Sequence, residues 1–198
     1  MNLKDNKGYT GVDISVAMII IMLFIPIIFG MTYNIKKAEA YSTRKSYATK
    51  IATEIIGMAK SIEYQNLDKG FTIQEEAQLD RDELNLEENK KTNTFLKTIK
   101  PIFDGEESAN NIVFGTEDAN CKYRYFSKQG NNGELYQIQV AVMNYYPADI
   151  DYYHANQDVI KKIKVTVAYV VGSKMEKIEL SLAVENDEYY RKETLPHE

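Results

Sequence analysis

Apolar residues follow three different patterns along this chain, and each pattern predicts a different element. From Ile14 to Met31 they run with no charge, interrupted chiefly by Pro26 and Gly30. At about 1.5 Å per residue a helix of that length covers about 27 Å, enough to cross the hydrocarbon of a bilayer. From Tyr33 to about Glu63 the spacing changes to three and four. Ala48, Ile51, Ala52, Ile55, Ile56, Ala59 and Ile62 fall on one helical face, opposite Lys45, Thr49, Lys50, Thr53, Glu54 and Lys60. The two stretches read as one helix of about fifty residues, apolar all round in its first half and amphipathic in its second. Pro26 removes a helical hydrogen bond and Gly30 follows one turn later. That pair marks a kink or local melting, or simply reflects the greater tolerance of membrane helices for both residues.

After about Tyr64 the periodicity weakens. Asn66 to Gly70 reads as a helix stop and turn, Gln74 to Leu86 as a short acidic surface helix, and Asn93 to Ile99 as another short helix ended by Pro101. From Cys121 the period becomes two. Cys121, Tyr123 and Tyr125 alternate with Lys122 and Arg124, and Tyr136, Ile138, Val140 and Val142 alternate with Gln137 and Gln139. Ile163 to Val171 and Ile178 to Val184 alternate likewise, on either side of a Gly172-Ser173 turn. Four strands with one apolar face each predict an antiparallel sheet, and the stripe from Ala48 to Ile62 is available to cover it.

Composition narrows the possibilities. The 198 residues carry 24 Lys+Arg against 29 Asp+Glu, and beyond the apolar run the balance is 22 against 27, which disfavours a bulk electrostatic grip on nucleic acid. Cys121 is the only cysteine, so no intrachain disulfide forms. Lys36, Lys37, Arg44 and Lys45 just past the apolar run would by charge alone hold the C-terminal side inside the cell, but long folded segments translocate largely regardless of such charge. The small-x-small triplet Ala38-Glu39-Ala40 has the form of a leader-peptidase site, yet it lies far beyond the end of a long apolar run.

The head of the run carries the most specific pattern. Met1 to Gly8 is a short polar leader; Gly8 is followed by the aromatic Tyr9, by Thr10, and, four residues after Tyr9, by Asp13, which opens the uninterrupted apolar helix. This arrangement resembles the processing and assembly signal of type IV prepilins and pseudopilins. The resemblance implies cleavage after Gly8 by a prepilin peptidase, N-methylation of Tyr9, and a role for Asp13 in pairing with the Tyr9 amine of a neighbouring subunit. Two positions depart from the family pattern: Gly11 stands where an aliphatic residue is usual, and Asp13 where Glu is usual. The specific match covers about the first 25 residues.

Little points to catalysis. His154 and His197 are the only histidines and neither has metal-ligand spacing; no phosphate loop or nucleophile motif occurs. Asp80-Arg81-Asp82-Glu83 lacks the turn glycine and spaced ligands of a calcium loop and reads as a solvated acidic face. Cys121 is expected on the apolar face of its strand, as a buried thiol. Tyr145, Tyr146, Tyr152 and Tyr153 crowd the loop 144–157, where they either close one end of the core or form a contact surface.

The expected architecture is α+β and pilin-like: a leader 1–8, a membrane and assembly helix 9–32, and an extracytoplasmic domain 33–198. That domain divides into an amphipathic helix 33–65, a variable region 66–120 and an antiparallel sheet of about four strands within 121–186. The expected function is a structural subunit of a pilus or of a secretion or DNA-uptake pseudopilus. Its partners would be the peptidase, other pilin or pseudopilin subunits and membrane lipid, with no cofactor and no metal. The alternative is a monomeric, membrane-anchored extracytoplasmic binding module.

Overall fold

A computed structural model describes residues 11–83, 93–107, 111–115, 118, 121–145 and 160–186. Helix α1 spans Gly11–Ala59 with Pro26 and Gly30 inside it. It is followed by a 3-10 turn, Tyr64–Asn66, by α2 (Ile73–Glu83), α3 (Phe95–Ile99), a 3-10 turn at Lys100–Ile102, and α4 (Asn111–Phe114). The strands are β1 (Gly105–Glu106), β2 (Cys121–Gln129), β3 (Leu135–Asn144), β4 (Ile160–Val171) and β5 (Lys174–Glu185). They form one antiparallel sheet in sequence order, so the fold is α+β with five strands rather than four. The fifth is the short β1, two residues too few for periodicity to announce.

The chain falls into two compact units, Met1–Thr43 and Arg44–Glu198. In the first, residues 11–43 of α1 are exposed along their whole length.

In the second unit the remainder of α1 lies on the sheet. Ala48, Ile51, Ala52, Ile55 and Ala59 are buried, and Lys45, Thr49, Lys50, Thr53 and Lys60 are exposed, as the three-and-four spacing requires. The helix ends at Ala59, short of the expected 63–65. Ser61 donates its amide to the Met58 carbonyl at 3.0 Å and its hydroxyl to the same oxygen at 2.7 Å, and the Ile62 amide bonds Ala59, tightening the last turn. Against α1 pack Ile138, Val140 and Val142 of β3 and Ile163, Val165 and Val167 of β4, with Tyr47 and Tyr136 ring centroids 4.9 Å apart.

One helix about 10 Å across covers only about half of a sheet whose strands are spaced about 4.8 Å apart. The segment 67–103 covers the β2 side. Leu67, Phe71, Phe95, Leu96 and Ile99 are all buried, Phe71 stacks on Phe95, and Phe103 stacks on Phe126 with centroids 4.3 Å apart. Helix α3, capped by the Thr94 hydroxyl accepting the Lys97 amide, is therefore a core element.

This arrangement corrects the face assigned to β2. The register pairs Phe126 with Ile138, Arg124 with Val140 and Lys122 with Val142. Directly opposed residues share a face, so Lys122, Arg124 and Phe126 lie on the helix-covered side. Cys121, Tyr123 and Tyr125 lie on the reverse side, where Phe114 of α4 packs on Tyr125 with centroids 5.6 Å apart. The loop Gly130–Glu134 sets this parity, held by Gly130 N–H donating to the Glu134 carbonyl and Gly133 N–H to the Gly130 carbonyl. A loop one residue shorter would invert the strand.

The two sheet edges differ. Outside β2, Asp104 and Glu107 donate their amides to Ser127 and Tyr125, the Asp104 carboxylate accepts the Gln129 amide, and Cys121 donates its amide to Asp118. Outside β5, no strand pairs among the described residues. Gly172, with φ of 63°, turns β4 into β5 through a two-residue hairpin closed by Val171 and Lys174.

Candidate functional site

Two surfaces merit a chemical description, the exposed half of α1 and a charged seam beneath α2. Between Val12 and Ile35 every large apolar side chain of α1 is exposed, and this is the one stretch among the described residues long and apolar enough to cross a membrane. Its two aliphatic hydroxyls bond within the helix, Ser15 donating to the Gly11 carbonyl at 2.8 Å and Thr32 to the Ile28 carbonyl at 2.9 Å. That is how a hydroxyl is accommodated in hydrocarbon. Pro26 has no N–H for the Met22 carbonyl, yet the helix continues through it and through Gly30. Asp13 stands in the first turn, where a carboxylate is favoured by the helix dipole. Gly8 and Tyr9 lie outside the described residues.

The seam was not foreseen in the sequence. Arg124 points from β2 into the core, its side chain only 8% exposed. Nε donates to the Phe71 carbonyl at 2.8 Å, Nη2 to the Gly70 carbonyl at 3.2 Å and to the Glu76 carboxylate, and Nη1 to Glu106 Oε1 at 3.0 Å. Lys100 pairs with the second oxygens of both acids, giving a ring of two cations and two anions. Beside it Asp68 is shared between two lysines, Oδ1 at 2.8 Å from Lys161 Nζ and Oδ2 at 3.1 Å from Lys122 Nζ. Lys122 also pairs with Glu75 at 2.9 Å. Lys161, 4% exposed, further donates to the Tyr64 carbonyl and lies 4.4 Å from the Tyr64 ring centroid.

Burial alone would push the Asp68 carboxyl up, but the adjoining Lys161 and Lys122 ammonium groups outweigh it and hold the carboxyl below its ordinary value. Burial opposes the charge on Lys122 and Lys100, and their carboxylate partners reverse that and raise both. Lys122 and Arg124 of β2 and Lys161 of β4 are thus each met by an acid from the segment 68–106. An open cleft of about 240 Å³ beside the seam is lined by Asp68, Glu75, Leu79, Asp82 and Lys122 among others. Cations already neutralise part of this acid wall, and no group of three or more His, Cys, Asp or Glu among the described residues is placed to hold a metal ion.

The remaining candidates are dispersed. Asp80 pairs with Lys97 at 3.3 Å, and Arg81 donates to the Ala77 carbonyl of its own helix. Cys121 is half-buried on the reverse face and burial raises its thiol. Next to it burial pushes Tyr123 up to about 12, its hydroxyl accepting the Asp118 amide at 2.8 Å. Of the tyrosine-rich loop only Asn144 and Tyr145 are described; Lys162 lies 5.4 Å from the Tyr145 ring centroid. Tyr146, Tyr152, Tyr153, His154 and His197 lie outside the described residues. The candidates that lie among the described residues are not brought together into one site. No protein-family model, curated protein or solved structure matches the chain.

Proposed function

We propose that this chain is a membrane-anchored, pilin-like structural subunit. After cleavage following Gly8 it assembles through α1 with other subunits of a pilus or pseudopilus, its second unit carried on the extracytoplasmic side. The observation that supports this reading is the division of labour along a single helix. Its first half is apolar and exposed on every side, and its second half is the core helix of an α+β domain. The pattern Gly8-Tyr9-Thr10 with Asp13 heads that same helix.

Asp13 supplies the assembly chemistry in this proposal. An isolated carboxylate is costly in hydrocarbon, and so is the amine of Tyr9 that cleavage would free. Pairing the two across neighbouring subunits offsets much of both penalties and fixes the axial register of the helices. The test is to shear cells and assay the released fraction. Asp13→Ala is expected to be inserted and cleaved normally but to be missing from that fraction, whereas Asp13→Glu still enters it. Normal recovery of Asp13→Ala would remove the assembly role and leave a tethered binding module as the better account.

A further inference from the structure

Charge is distributed unevenly along the molecule. Residues 32–50 hold five basic side chains against one acid, Glu39, whereas residues 51–198 hold 17 against 26. The protein is a −9 body preceded by a +4 collar. Within the collar, Arg44 is committed to the sheet, donating to the Val170 carbonyl and lying 3.6 Å from Glu134. Lys36 and Lys37 are exposed and form no ion pair among the described residues. Tyr33, also exposed, stands one turn before Lys37 on the same helical side.

Their position along the helix is informative. α1 is helical through this stretch, so Lys36 and Lys37 stand about 8 Å beyond Met31, the last residue of the apolar run. The polar layer on each side of the hydrocarbon is roughly 5 to 8 Å thick. Tyr33 therefore falls at the hydrocarbon boundary, where an amphipathic ring is favoured, and both ammonium groups fall at the level of lipid phosphates. The body beyond would be repelled by an anionic surface, whereas the charge of the collar complements it.

We infer that Lys36 and Lys37, with Tyr33, form a headgroup-binding collar that selects anionic phospholipid on the side of the membrane facing the folded domain. The inference rests on the anchor proposed above. It implies that the subunit waits in a bilayer enriched locally in anionic lipid, and that leaving the bilayer requires release of those lipids, so headgroup composition tunes extraction.

The experiment uses the full chain reconstituted into phosphatidylcholine vesicles containing a minor fraction of phosphatidylglycerol, with spin-labelled lipids of each headgroup reporting which associate with the protein. The phosphatidylglycerol probe should associate preferentially, and Lys36→Gln with Lys37→Gln should lower that preference by roughly fivefold per lysine. Lys60→Gln with Lys69→Gln, on the body, should leave it intact. Equal association of the two probes with the unaltered chain, an unchanged preference in the collar variant, or displacement of the probe by inorganic phosphate would each overturn the collar. Alkaline washing of the same vesicles tests the anchor separately: a chain stripped from them would overturn the anchor and the collar together, whereas a retained chain without headgroup preference would overturn the collar alone.

Discussion

At the scale of single residues the seam makes Asp68 a hinge point of stability. It compensates two cations, one of them almost wholly buried. Asp68→Asn removes the carboxylate 2.8 Å from the almost wholly buried Lys161 ammonium, and is expected to cost about 3 kcal/mol at neutral pH. Lys161→Met should cost much less, because Asp68 keeps Lys122 and the methionine fills the space without a charge. The sign of the pH dependence follows from the shift. The folded carboxyl sits below its unfolded value, so its contribution is fully present above the unfolded value and disappears as the pH falls through the folded one. Urea titrations of the unaltered chain and Asp68→Asn should therefore show a constant stability gap at neutral pH that closes in strong acid. A gap that widened on acidification would contradict the assignment. None of this was legible beforehand, because Asp68 looked like part of a helix-stopping turn and Lys122 and Arg124 like the wet half of an alternating strand.

At the scale of elements, legibility depended on how much each pattern repeats. The stripe from Ala48 to Ala59 repeats over several turns, and the structure buries it as expected. Ile55 lies fully inside it, so Ile55→Asp should destabilise the second unit by several kcal/mol, while Lys60→Ala should stay within about 0.5 kcal/mol; thermal melts of the two compare them directly. β2 misled because both of its faces carry aromatic rings and the covering segment brings its own acids. Alternation alone does not say which face is inside. That information sits in the loop Gly130–Glu134, whose length links the parity of β2 to the plainly apolar residues of β3. The corrected assignment has a measurable consequence. Phe126→Ala, which removes the ring stacked on Phe103, should cost about 3 to 5 kcal/mol, and Tyr123→Ala, half-buried on the reverse face, distinctly less. The opposite ranking would restore the first assignment. The two short helices of segment 67–103 were readable from their stop signals, but their burial was not: the segment is held by contacts distant in sequence, such as Phe103 with Phe126, rather than by a period of its own.

At the scale of the whole molecule the α+β class was readable from two strong periodicities, three-and-four followed by two, and of the strands only the short β1 escaped. β1 is an edge strand of only two residues, which leaves β5 as the one long open edge among the described residues. An edge of that kind is a template for another strand. Because the described residues offer a single long template, the valence for pairing through it is one. Two copies joined through β5 would terminate each other, making a closed pair instead of a fibril. Antiparallel joining about a two-fold axis would also point the two core helices in opposite directions.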